Sequence, residues 1–150
     1  MAILATITDV AAYEPDIENY GISDFDGDIT KAQSDVFRDL RIRWWPTQQI
    51  GLYDVKHVAG GNQEPDESLF TVSQLTRACV YQALGYHIYP KLSRFEPDLD
   101  VFERKMEYYR AEYEREMDLV LRDGVEYDLD NSGTITDNEK VATHHLRLKR

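Results

Sequence analysis

The chain is predicted to be mainly α: a small antiparallel helical bundle with one long helix, a long extended loop or hairpin insertion at 46–70, and a C-terminal arm. Three observations predict it. First, residues 98–121 place Leu99, Phe102, Met106, Tyr109, Tyr113, Met117 and Val120 at steps of three and four, the repeat of one helix face. Second, two earlier stretches, 28–45 and 68–89, show the same periodicity. Third, Gly51, Gly60, Gly61 and Pro65 break the residues between those two stretches. A chain of 150 residues suits one domain with a modest core. We divide it into a bundle over 1–123 and a second part over 124–150.

Taken in order, Thr8-Asp9-Val10 starts a short helix with Val10, Tyr13 and Ile17 as its apolar contacts, and Pro15 re-aims it before a turn at Tyr20-Gly21. Asp24, Asp26 and Asp28 alternate, but a calcium loop starting at Asp24 would need glycine where Ile29 stands. They are therefore read as the acidic start of the next helix. That helix runs from about Asp28 to Trp45 with Ile29, Ala32, Val36, Leu40 and Trp44 on one face, and Pro46 stops it. Trp44-Trp45 beside Arg41 and Arg43 could stack on a ligand or base; core packing plus an interface anchor is preferred.

Residues 46–70 are non-helical, with some strand character at Ile50, Leu52, Tyr53, Val55 and Val58. So long a connection suits a protruding loop covered by another subunit, with Tyr53 and His57 as contact residues. The third helix spans about Ser68 to Tyr89, with Leu69, Val72, Leu75, Cys79, Ala83 and Tyr86 on its face and Pro90 as its end. Small residues at Ala78, Ala83 and Gly85 permit close helix approach. The last helix begins after Pro97, with Asp98 and Asp100 at its positive end, and Gly124 stops it. At 1.5 Å per residue it is roughly 35 Å long, so the shorter helices should pack along it. Its Met/Tyr stripe is read as core, not as a binding groove.

Formal charge is −11 but uneven. Residues 140–150 carry Lys140, Arg147, Lys149 and Arg150 and no acid, while the preceding 139 residues hold 13 basic against 28 acidic residues. The acidic body argues against wrapping nucleic acid, whose phosphates it would repel. The basic tail reads as an arm docking on an acidic protein surface, or as a solvated terminus. Cys79 is the only cysteine, so neither an internal disulfide nor a cysteine metal site is expected. No apolar run is long enough to cross a bilayer, and MAILATITDV lacks the basic start and cleavage site of a secretory leader.

The chemistry is concentrated in Asp128–Glu139, DLDNSGTITDNE. It matches the twelve-residue loop of an EF-hand: acids at positions one and three (Asp128, Asp130), Ser132 fifth, Gly133 sixth, Ile135 eighth and Glu139 twelfth. A hard cation takes oxygens from a loop curled around it. Thr134 would offer its carbonyl, Thr136 would act through water, and Glu139 would close the site with two oxygens. Calcium is the one candidate cofactor, and none is required. The flanks depart from the pattern, because Gly124 interrupts the entering helix and KVATHHLRLKR lacks an apolar exiting face. The competing reading is a tight turn at Asn131-Ser132-Gly133 between short strands at 125–127 and 134–136. His144-His145 point to different faces of a helix and suggest no metal site. No phosphate loop, nucleophile–histidine pair or zinc-ligand set is present, so an enzyme is not expected.

As a pattern of elements the chain resembles tailed-phage head–tail connectors, also called adaptor or head-completion proteins. ATITDVAAYEPDI is similar to their first short helix, the stretch from Asp28-Ile29-Thr30-Lys31-Ala32 through Leu40 to their second, and SQLTRACVYQALGYHIYP to their third, with a long charged helix last. An acidic loop followed by an arginine-bearing tail, here DLDNSGTIT and HHLRLKR, also resembles theirs. The 46–70 insertion departs from the smallest members. The resemblance implies a structural virion protein forming a ring, typically a dodecamer, that joins the portal to a tail or neck protein, retains the genome, and lets DNA pass without specific binding. It implies assembly in the host cytoplasm, residence at the virion neck and no membrane contact. The contact residues would be Trp44, Trp45, Tyr53, His57, Lys140, Arg147, Lys149 and Arg150. The alternative is a single-loop calcium-binding regulatory or adaptor protein.

Overall fold

A computed structural model describes residues 2–22, 24–45, 64–93 and 100–141. The fold is mainly helical, as predicted. Its elements are α1 (Ile7–Tyr13), a 3-10 turn (Ile17–Tyr20), α2 (Asp26–Arg43), a second 3-10 turn (Glu67–Leu69), α3 (Val72–Gln82), a π-helical segment (Ala83–Ile88), α4 (Tyr89–Leu92), α5 (Val101–Asp123), β1 (Val125–Glu126) and β2 (Lys140–Val141).

Local chemistry sets most boundaries. The Asp9 carboxylate accepts hydrogen bonds from the Thr6 N–H and hydroxyl, so α1 is capped by Thr6 and not by Thr8. Gly21 takes φ +88°, which turns the chain toward α2. Asp100 caps α5 by accepting from the Glu103 N–H at 2.7 Å. Gly124, at φ +105°, ends α5 where the sequence places the stop.

The third helix differs from expectation at both ends. It begins at Val72, because Phe70 is used in a β-bridge to Tyr127. It also runs through Pro90 to Leu92 by way of the π-helical segment. There the Tyr89 N–H reaches back five residues to the Leu84 carbonyl. The same shift sets the Gly85 carbonyl against Pro90, which has no N–H. Arg110 of α5 supplies the missing donor through Nε at 2.9 Å, its guanidinium 4.8 Å above the Tyr86 ring. Only glycine fits at 85: a Cβ there would sit 2.9 Å from the Arg110 backbone nitrogen.

Side-chain pairings give the helix directions. Gln74 meets Gly124, Arg77 meets Glu116 and Tyr81 meets Tyr109, so α3 and α5 are antiparallel. Asp28 meets Lys91 and Asp35 meets His87, so α2 and the third helix are antiparallel too. Consequently α2 and α5 run the same way, tied by Tyr113 to Asp39 and by a bidentate Arg43–Glu114 pair at 3.0 and 3.1 Å. Met106, Tyr109, Tyr113, Met117 and Val120 of the predicted α5 stripe are buried, and Phe102 is partly buried against the core. Leu99 lies outside the described residues. Cys79 is fully buried, and burial pushes its thiol up to about 12, with Asp9 adding to the effect.

Val125 and Tyr127, just past the end of α5, lie in the same buried cluster as the helices. Of the 46–70 insertion, 46–63 lie outside the described residues; 64–70 form a short connection that packs under α2 through Phe70.

Candidate functional site

The acidic loop is rooted by residues distant in sequence. β1 and β2 pair antiparallel, Val125 with Val141 and Glu126 with Lys140, so the loop projects from a hairpin and not from two helices. Of the strands expected on either side of it, the first is present as β1, whereas the second lies at 140–141 and not at 134–136. Gln74 of α3 holds the root from outside, its amide nitrogen donating to the Gly124 carbonyl at 2.8 Å and its amide oxygen accepting from the Glu126 N–H at 2.9 Å. The Asp128 N–H donates to the Leu69 carbonyl at 3.0 Å, and the Asp66 N–H to the Tyr127 hydroxyl oxygen at 3.1 Å.

Within the loop the carboxylates bind backbone. Asp128 accepts from the Ser132 N–H at 2.9 Å and the Gly133 N–H at 2.7 Å, and Asp130 accepts from Ser132 at 3.0 Å. Glu139 closes the ring: one oxygen accepts from the Leu129 and Asp130 N–H groups at 2.8 and 3.3 Å, the other from the N–H and hydroxyl of Thr136 at 2.9 and 2.8 Å. The Ser132 hydroxyl donates to the Thr134 carbonyl at 3.1 Å. Asn131 at φ +55° and Gly133 at φ +81° make the turn. Burial raises the Asp128 carboxyl, but the Gly133 and Ser132 N–H groups outweigh it and hold the group below the usual carboxylate range. The N–H and hydroxyl of Thr136 lower Glu139 likewise.

The donor set fits a calcium-sized cation. One oxygen each from Asp128, Asp130 and Glu139 lie within 4.8 Å of one another. Oxygens bound at about 2.4 Å around a single ion can be no farther apart than that. Ser132 and the Thr134 carbonyl lie in the same loop and would add neutral oxygens. Glu139 could give two oxygens only by releasing the N–H groups it now holds.

Of the expected contact residues, Trp44, Trp45 and Lys140 lie among the described residues. Trp44 is 2 % exposed and packs against Phe70, Tyr127 and the half-buried Trp45, so it serves the core and not a surface. Lys140 pairs with Asp123 and Glu126, both at 3.2 Å, which raises its pKa and staples β2 to the end of α5. Tyr53, His57, Arg147, Lys149 and Arg150 lie outside the described residues. A groove of about 260 Å³ between α2 and residues 64–70 contains Arg38 and Arg41, which pair with Asp35 and Glu64. Sequence reading missed Gln74 and Phe70 as supports of the loop, because no local pattern links them to residues fifty positions away. Comparison with known proteins gives no match to a family model, a curated protein or a solved structure.

Proposed function

We propose that this chain is a structural protein of a tailed-phage virion, a head–tail connector that forms a ring between the portal and the next tail or neck component. The observation that carries the reading is the order of elements: a short capped helix, a packed second helix, a third helix with a π-helical segment, one long helix, then an acidic loop before a basic terminus. A small core in a repeated ring is physically sensible, since neighbours add burial that one subunit lacks. The reading assigns a role and no reaction. Mixing the purified chain with portal rings and measuring particle mass tests it. A ring, or a portal-bound complex that survives chelator, supports it; a chain that ignores the portal and forms no ring sinks it.

A second reading, a calcium-binding regulatory or adaptor protein, is favoured by the convergence of Asp128, Asp130 and Glu139. Calorimetry with calcium should show one binding event that Asp128→Asn abolishes; no heat with the wild type would remove this reading.

A further inference from the structure

We propose that the outer face of α5 is a docking surface for the same face of a second copy, packed antiparallel about a two-fold axis at Ala111. Helix α5 buries one stripe in the core and leaves the opposite stripe, Arg104, Glu107, Tyr108, Ala111, Arg115 and Asp118, exposed along its length. Arg104, Tyr108, Ala111, Arg115 and Asp118 follow at steps of four and three, with Glu107 beside them, which makes a continuous face.

The charges on this face are antisymmetric about Ala111. Arg104 stands seven residues before it and Asp118 seven after; Glu107 stands four before and Arg115 four after. Turning a second copy end for end about Ala111 therefore sets Arg104 opposite Asp118 and Glu107 opposite Arg115, each twice. No level of α5 then places like charges against each other. Ala111, the smallest side chain on the face, falls where the two backbones come nearest, which favours close approach. Tyr108, 58 % exposed, flanks the axis and supplies an aromatic surface of the kind interfaces favour.

The rest of the molecule narrows the choice of partner. The chain carries −11, so most faces of two copies repel. These four charged residues sum to zero, and Arg122, on the same face eleven residues after Ala111, falls opposite Asp100 eleven before it, so the face meets its own image with no like charges opposed. The pairs these charges make within the helix are exposed: Arg115 lies 3.7 Å from Glu112 with 72 % of its side chain exposed, and Asp118 lies 3.0 Å from Arg122 with 62 % exposed. Both remain free to turn toward a neighbour. A two-fold pair and a cyclic ring use different kinds of contact, so this proposal stands or falls separately from the connector role.

Sedimentation velocity at about 150 mM salt, where the screening length is about 8 Å, tests it. The wild type should approach twice the 17.5 kDa chain mass as concentration rises, and should return to one chain mass in about 1 M salt. Glu107→Arg alone and Arg115→Glu alone should each be monomeric, and the double variant should pair again. Circular dichroism checks that these exposed changes leave the fold intact. Ala111→Cys should form an intermolecular disulfide under mild oxidation, since the native Cys79 is buried, whereas Ser73→Cys on the exposed side of α3 should not. A wild type that stays monomeric, an assembly of any size indifferent to the single swaps, or equal cross-linking at positions 111 and 73 would overturn the proposal.

Discussion

The bundle and the acidic loop are built from opposite materials. Where α3 and the π-helical segment lie on α5, Leu75, Ala83, Leu84 and Met117 are fully buried and α5 comes close enough to exclude even a methyl at Gly85. Between β1 and β2, most of residues 129–139 are exposed and the fold is kept by carboxylates accepting backbone N–H groups. The first, the contact of α3 and the π-helical segment with α5, depends chiefly on burial and volume. The second depends on ionised acids, so it should respond to protons and cations. The contrast separates a part held by volume from a part held by charge.

The sharpest way to break the contrast is to truncate one leucine in each region. Leu75→Ala should cost about 3 kcal/mol, whereas Leu129→Ala, at a side chain 69 % exposed, should stay within about 0.5 kcal/mol. Urea denaturation of both variants measures this, and equal costs would mean the loop is as tightly packed as the bundle.

Gly85→Ala comes next. A Cβ 2.9 Å from the Arg110 backbone must push the two helices apart, with an expected loss of about 2 kcal/mol and a melting temperature lower by several degrees. Stability equal to wild type would show that the π-helical segment can yield at no cost.

The smallest effect is in pH. Burial raises Glu14, but the hydrogen bonds from Lys105 and Tyr109, both 2.7 Å, prevail and lower it below 4.5. Asp128 and Glu139 are lowered from 3.8 and 4.5. All three are depressed carboxylates, so their stabilisation is present above the unfolded values and is lost as pH falls through the lower folded ones. Acid should therefore weaken the protein only below about pH 4.5, and carboxyl chemical shifts should show Glu139 titrating below 4.5. A Glu139 that titrates in the ordinary range would mean that its bonds to Thr136 and Leu129 do not persist in solution.

Much of the fold was legible because a helix face repeats every three to four residues whatever lies beyond it. The α5 stripe, its stop at Gly124, the re-aiming near Pro15 and the burial of Cys79 all follow from residues close in sequence. Pro90 misled for a physical reason: proline ends an isolated helix, but here the π-helical turn shifts the bonding by one residue and an arginine twenty residues away replaces the lost donor. Trp44 shows the other case: its place on the apolar face of the second helix marks it for the core, and Phe70 and Tyr127 enclose it there.

The helical periodicities, the uneven charge and the spacing of oxygen-bearing residues from Asp128 to Glu139 can be read from the chain alone, because each depends on order within a single segment. That the acidic loop hangs from a two-stranded hairpin held by Gln74 and Lys140, and that Val125 and Tyr127 share the helical core, emerges only on folding. Those outcomes depend on which surfaces meet across fifty residues of chain, and burial selects that pairing only when the whole core closes.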